Sequence, residues 1–258
     1  FLKPEGEGEA ASIRYPGPFA KFSKNPLSIG RRPPRIGEHT REILAEMTQI
    51  PEKERGSEEE NTTLPLEGVK VLDFMWALAG PGATRTLADL GATVIRVESS
   101  SRLDVIRTIR PFIDSDESPE KSALFHNTNA GKNLISLDLT KPEGKAVAMD
   151  LVRWCDVVTE SFSPKAMKAF GLDYESLLAV NSDVIMLSTC LFGQTGPLSM
   201  FAGYGNLAAA IAGFYTITGW PNREPAGPFG AYTDYIAPRY NAAAVIAALD
   251  HRDRSGEG

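Results

Sequence analysis

From residue 64 onward the apolar positions alternate between two rhythms. Val69-Lys70-Val71-Leu72-Asp73-Phe74 and Thr93-Val94-Ile95-Arg96-Val97-Glu98 are short apolar runs rich in β-branched residues, and they read as buried strands. The runs at 133–139, 156–160 and 183–188 predict three more. Between them the spacing is helical. Pro81 suits a first helical turn, and Leu87, Leu90 and the closing Gly91 complete a short amphipathic helix. Thr140-Lys141-Pro142-Glu143 has capping-box spacing with proline at a helix start, which predicts a helix to about Trp154. Ser163-Pro164 opens a short helix ending at Gly171, and Asp173 begins another turn. Two helices of small residues follow at 204–216 and 238–251, joined by a loop carrying Pro221, Pro225 and Pro228.

Strands separated by helical segments require right-handed crossovers and a largely parallel sheet. The fold class is α/β, a Rossmann-like sheet with flanking helices. Ligands of such sheets bind beyond the carboxyl ends of the strands. That places the expected site on residues 74–81, 98–107, 160–163 and 190–197.

The first 63 residues have a different texture. Arg14, Lys21, Lys24, Arg31, Arg32 and Arg35 are mixed with Pro16, Pro18, Pro26, Pro33 and Pro34. Prolines at this density favour an extended path over a continuous helix. Ile43, Leu44 and Met47 predict a short helix at 38–47. Residues 51–60 hold no apolar side chain and read as an acidic linker, because such a run buries too little surface to offset its ordering entropy. The predicted organisation is a tail at 1–49, a linker at 50–63 and an α/β core at 64–258.

Composition narrows the function classes. With 27 basic against 33 acidic residues the net charge is −6, so bulk electrostatics offer nucleic acid no general attraction. No run approaches the ~18 consecutive apolar residues of a membrane span, and no signal peptide is legible. Cys155 and Cys190 sit singly among apolar residues, which fits neither a disulfide framework nor a zinc site and makes a reducing cytoplasm the expected setting. His39, His126 and His251 are too dispersed for a histidine-rich centre, so no metal is expected.

Candidate chemistry is tested next. The first strand is followed by Ala79-Gly80-Pro81-Gly82-Ala83, which is not G-x-G-x-x-G, and there is no P-loop, so a dinucleotide site is disfavoured. A G-x-S-x-G elbow is also missing, and both cysteines read as core thiols. Asp234 is more informative. It stands in Gly230-Ala231-Tyr232-Thr233-Asp234-Tyr235, just before a predicted helix, where helix terminus and amide donors favour its ionised form. Two roles remain open from position alone: a helix cap, or a carboxylate nucleophile toward a thioester.

Several stretches taken together resemble the class III CoA-transferases, the CaiB/BaiF family. They are Pro65-Leu66-Glu67-Gly68-Val69-Lys70-Val71-Leu72-Asp73-Phe74 with Leu78-Ala79-Gly80-Pro81, and Leu87-Ala88-Asp89-Leu90-Gly91-Ala92 with Val94-Ile95-Arg96-Val97-Glu98. Asn129-Ala130-Gly131-Lys132, Ile135-Ser136-Leu137-Asp138-Leu139 and Gly193-Gln194-Thr195-Gly196-Pro197 continue the likeness across 64–258. The resemblance implies that Asp234 attacks an acyl-CoA thioester to give a mixed anhydride and then an aspartyl-CoA thioester, from which a carboxylic acid acceptor collects the CoA. It also implies CoA or substrate contacts at Leu78, Ala79, Leu137, Thr140, Ser161, Phe162, Ser163 and Tyr204, with CoA and acyl-CoA as substrates and no permanently bound cofactor.

Three positions depart from the family pattern: Ser99-Ser100-Ser101-Arg102, Ser161 after Glu160, and Gly205 where an acid often follows the tyrosine. Two alternatives follow from the same likeness. One is an α-methylacyl-CoA racemase, in which a histidine would occupy the position of Tyr204; a phenol with a reference pKa near ~10 is a poor substitute for imidazole. The other is an idle repeat serving as scaffold. Pro16-Gly17-Pro18-Phe19 and Pro33-Pro34-Arg35-Ile36-Gly37 resemble the C-terminal end of the same family. The expectation is therefore a fragment of a tandem-repeat member, assembled as an interlocked homodimer or pseudo-dimer, with no nucleic-acid or membrane partner.

Overall fold

A computed structural model describes residues 20–24 and 64–258, and the architecture below is that of 64–258. The expectations for 1–49 and 50–63, apart from 20–24, lie outside the described residues.

The described strands are β1 (Lys70–Asp73), β2 (Thr93–Glu98), β3 (Asn133–Ser136), β4 (Val157–Glu160) and β5 (Ile185–Ser188). All pair in parallel, in the order β3-β2-β1-β4-β5. The predicted α/β class holds. Side chains alternate across the pleat, so neighbouring residues of one strand enter different cores. Leu72 and Val158 join Ala148, Val152, Leu172 and Leu177 on one face. Val71, Val94 and Val157 join Leu87, Ala242, Val245 and Leu249 on the other. Each fully buried Val or Leu contributes about 1.5–3 kcal/mol of burial. Residues 64–258 thus form three layers.

The helices that build these layers are α1 (Ala79–Asp89), α2 (Ala123–Asn129), α3 (Pro142–Trp154), α4 (Ala166–Phe170), α5 (Tyr174–Leu178), α6 (Gly205–Ile211), α7 (Phe214–Ile217) and α8 (Tyr232–Ser255). Three short 3₁₀ turns lie between β2 and α2, a region left unassigned from sequence.

Three local predictions are corrected. Thr140 does not form a capping box: its N–H and Oγ1 both bond to Asp138 Oδ1, at 2.9 and 2.6 Å. The aspartate's local turn takes the threonine before the helix can, and α3 starts after Lys141 without a side-chain cap. The last helix begins at Tyr232, not 238, with Pro238 inside it. Proline lacks the N–H that would bond the Asp234 carbonyl, which makes it look like a helix start in sequence. Here its ring packs against Gly82 of α1, where a β-carbon on the glycine would lie 3.0 Å from Pro238 Cγ. The expected helix at 204–216 is broken at Gly213, whose φ of 89° divides it into α6 and α7.

Candidate active site

The chain changes direction about β1: strand order runs outward to β2 and β3 on one side and to β4 and β5 on the other. A crevice at the carboxyl ends of β1 and β4 is the expected binding place for this topology. The residues after β1 are held there by side chains from several elements. Met75 N–H donates to Asp73 Oδ1 at 2.9 Å, and Met75 C=O accepts from Arg96 Nη1 at 2.9 Å. Trp76 N–H donates to Ser161 Oγ at 2.9 Å, across the crevice from β1 to β4. Ala77 N–H donates to both carboxylate oxygens of Asp104, at 3.0 and 3.1 Å. Lys132 Nζ reaches Pro81 C=O at 2.9 Å in the first turn of α1.

These anchors form a buried charged network. Asp73 also accepts from Thr84 Oγ1 at 2.7 Å and from Lys132 Nζ at 3.0 Å. Arg96 pairs with Asp104 and donates to Asn129 Oδ1 at 3.0 Å. Glu98 takes Arg107 through two nitrogens, with Nε at 2.9 Å and Nη2 at 2.9 Å, and accepts Asp104 N–H at 2.8 Å. Both guanidinium groups approach the Phe125 ring, 3.5 Å from its centroid for Arg107 and 5.4 Å for Arg96. Burial works to raise the Asp73 carboxyl, but Lys132, Arg96 and the bonds from Thr84 and Met75 hold it below its ordinary value. Glu98 is lowered in the same way, the Arg107 fork overcoming burial. For Asp104 burial prevails over Arg96 and the Ile106 and Ala77 amides, and its carboxyl is raised.

The predicted CoA-contacting residues fall along this carboxyl edge. Leu78 is the N-cap residue of α1 and Ala79 its first residue; Gly82 N–H returns to Leu78 C=O at 2.9 Å. Phe162 meets Trp76 edge-on, with ring centroids 5.9 Å apart, so the turn after β1 and the segment Ser161, Phe162 and Ser163 after β4 are in contact. Leu137 prolongs the pairing of β3 through its N–H to Glu98 C=O at 2.8 Å. Thr140 is exposed, and its hydroxyl is engaged with Asp138. Leu137 and Thr140 follow β3, which β2 and β1 separate from β4, so they share the edge but not the crevice.

Asp234 lies in the first turn of α8, whose N-cap is Ala231 with no side-chain cap bond. The carboxylate therefore does not cap its own helix. It accepts the N–H of Gly205 at the start of α6 instead. The contact is intimate: a β-carbon on Gly205 would lie 2.8 Å from Asp234 Cγ, with the Thr233 and Asp234 oxygens nearer still. Burial raises the Asp234 carboxyl and the Gly205 amide lowers it, with burial the larger. That corrects the expectation of a carboxyl shifted toward its ionised form. The helix terminus offers partial positive charge, but loss of water costs more. Thr233 Oγ1, next to the carboxylate, is buried with no hydrogen-bond partner among the described residues. Tyr204 precedes Gly205 and is 71% exposed.

Helix packing links the two groups of residues. Pro238, one turn beyond Asp234, meets Gly82, one turn beyond Leu78. The first turn of α1 and the second turn of α8 thus meet at one contact. Through Trp76 the structure brings the turn that leads into Leu78 and Ala79 against Ser161 and Phe162, and it sets Asp234 with Gly205 beside Tyr204. Sequence reasoning treated Gly205 as a departure and missed its role as amide donor. It also missed the network, although charged Asp73 and Arg96 inside apolar strands were the signal, since buried charges must be paired. Among the described residues no group of side chains could hold a metal ion, and no helix is long and apolar enough to cross a membrane.

Comparison with known proteins gives the arrangement a context. Residues 66–258 match the model for CoA-transferase family III. The chain is 43% identical over 200 residues to the succinate–glutarate CoA-transferase of Agrobacterium fabrum, covering 77% of this chain and 50% of that protein. It is 38% identical over 199 residues to succinyl-CoA:glutarate CoA-transferase of Homo sapiens, covering 77% and 44%. Among solved structures it is similar to a CAIB/BAIF family protein from Brucella suis, with a TM-score of 0.71 and 41% identity, over 76% of this chain and 52% of that one. The chain spans about half the length of the relatives it matches.

Proposed function

The chain belongs to CoA-transferase family III, and from that premise we propose that it carries the nucleophile and part of the CoA site of an enzyme moving CoA between an acyl thioester and a carboxylic acid. The observation that carries this reading is the seating of Asp234. Among the described residues it is a half-buried carboxylate with no ion-pair partner and one amide donor, beside the helix pair that bears the proposed CoA turn.

An oxygen of the Asp234 carboxylate attacks the thioester carbon, and collapse of the tetrahedral oxyanion breaks the C–S bond. CoA thiolate leaves and an aspartyl mixed anhydride remains. The thiolate then attacks the aspartyl carbonyl, releasing the donor acid as carboxylate and leaving an aspartyl-CoA thioester. Attack by the acceptor carboxylate gives a second anhydride and free thiolate, and thiolate attack on the acceptor acyl carbon regenerates Asp234. The overall exchange of one thioester for another is close to balanced in energy; each anhydride is a high-energy intermediate, and the covalent route divides one difficult exchange into easier steps. The Gly205 N–H fixes the carboxylate, while partial desolvation strips it of stabilising water and makes it a better nucleophile.

The named relatives favour short dicarboxylic acids, succinate or glutarate, as donor and acceptor. Exposed Tyr204, a phenol in the position of a racemase histidine, supports transfer over α-proton exchange. The cytoplasmic setting, the interlocked dimer and the tandem-repeat origin of the first 49 residues form part of the same proposal.

Incubation of the complete polypeptide with succinyl-CoA and hydroxylamine tests the mechanism. Hydroxamate mapped to Asp234 by mass spectrometry is the expected outcome, together with loss of exchange in Asp234→Asn. Proton exchange at the α-carbon without an adduct would overturn transfer in favour of the isomerase reading.

A further inference from the structure

Ala77 has a φ of 64°, in the left-handed region that an alanine side chain disfavours. It lies in the turn between β1 and α1, directly before Leu78 and Ala79. Its N–H is bonded to both oxygens of Asp104, which is fully buried, and Asp104 also accepts Ile106 N–H at 3.1 Å. Asp104 is itself fixed by its pair with Arg96, whose other terminal nitrogen holds the carbonyl of Met75 two residues before Ala77. One guanidinium and one carboxylate thus grip both sides of a strained turn.

We propose that Asp104 is a positioning residue for CoA recognition: through the Ala77 N–H it holds the turn left-handed, so that Leu78 and the first turn of α1 present a preformed surface to the acyl-CoA. Without this grip Ala77 relaxes toward a negative φ and swings Leu78 off the crevice, and acyl-CoA must then select the minor conformation. The proposal rests on the CoA-transferase reading but concerns binding, so its failure can be told apart from that of the mechanism. Apparent affinity falls by the fraction of molecules that retain the turn, while Asp234 and its amide are untouched.

The test is made in the complete protein with Asp104→Asn, reading KM for acyl-CoA, kcat and the dissociation constant of CoA by calorimetry. KM and the dissociation constant should both rise at least tenfold, with kcat changing less than threefold. Ala77→Gly added to Asp104→Asn should recover at least a threefold share of both, because glycine adopts the left-handed turn without help. Should Asp104→Asn fail to fold, Ala77→Val strains the same turn from inside and should raise the same two constants. Unchanged CoA affinity in a folded Asp104→Asn or Ala77→Val protein, or no recovery on adding Ala77→Gly, would overturn the proposal. If the unsubstituted protein exchanges no CoA, the transferase reading fails and the calorimetric constants still decide the role of Asp104.

Discussion

Substitution of Gly205 by alanine isolates the seating of Asp234, the proposed nucleophile. The added β-carbon would stand 2.8 Å from Asp234 Cγ. Carbon pairs settle at about 3.5–4.0 Å, so one partner must move by roughly 1 Å. The φ of Gly205 is not in the left-handed region, so the backbone itself accepts alanine. Two stability effects then oppose each other. Alanine in place of glycine favours a helix by about 0.8–1 kcal/mol, while overpacking costs about 1–3 kcal/mol. The net loss is at most about 2 kcal/mol, or a shift in melting temperature of a few degrees for a domain of this size. Activity should respond far more, since a 1 Å displacement of a reacting group can cost about 100-fold. Steady-state CoA exchange in the complete protein should show kcat down about 100-fold, with the melting temperature lowered by no more than about 4–8 °C. Wild-type kcat in a folded Gly205→Ala protein would mean that the carboxylate does not react from this seat, and the assignment of Asp234 would lose its geometric support.

Other expectations follow from the buried charges and thiols. Replacing Lys132 by methionine leaves Asp73 without its ammonium partner and should cost about 3–5 kcal/mol in denaturant unfolding. A loss below 1 kcal/mol would show that the pair does not organise the turn after β1. Asp73 and Glu98 have lowered carboxyls, so their stabilisation is complete above the ordinary values of 3.8 and 4.5 and is lost as pH falls through the lower folded values. Asp104, Glu160 and Asp234, raised chiefly by burial, act oppositely, and their protonation on acidification adds stability. The melting temperature should therefore hold or rise between pH 7 and about 4.5 and drop below about 3.8; a steady decline from pH 6 would contradict this balance. Burial pushes the Cys155 thiol up to about 12, whereas Cys190 is half-buried, so iodoacetamide in the native state should label Cys190 first and leave Cys155 intact, as peptide mapping would show.

The layers of this fold were legible because strand and helix periods are written directly in where Val, Leu and Ile recur. β2 matches its predicted span, and α3 ends at Trp154 as expected. What the periodicity could not carry was any element whose boundary depends on a tertiary partner. Thr140 had the right spacing for a cap but was taken by Asp138, two residues away. Pro238 looked like a beginning because its cost, a missing N–H, is visible in sequence, while its benefit, close packing on Gly82, is not. The turns between β2 and α2 have no period of their own; they are shaped by Glu98, Asp104 and Arg107, whose pairing is a fact of three dimensions.

The candidate site divides along the same line. Asp234 was found through resemblance, because an aspartate in the first turn of a helix is chemically ordinary until one knows what faces it. What faces it is Gly205, a residue without a side chain, and so without any pattern to read. The supporting network was the opposite case. Asp73 and Arg96 interrupt apolar strands, and ionised side chains there are too costly to keep unless they are paired. Following that cost leads from Arg96 to Asp104, and from Asp104 to the strained amide of Ala77 beside the predicted CoA contacts. The binding half of the site was thus open to physical reasoning from sequence at its first link, the misplaced charges. The proposed reacting half depends on a glycine packed too close to the carboxylate to carry a side chain, which only the folded chain displays.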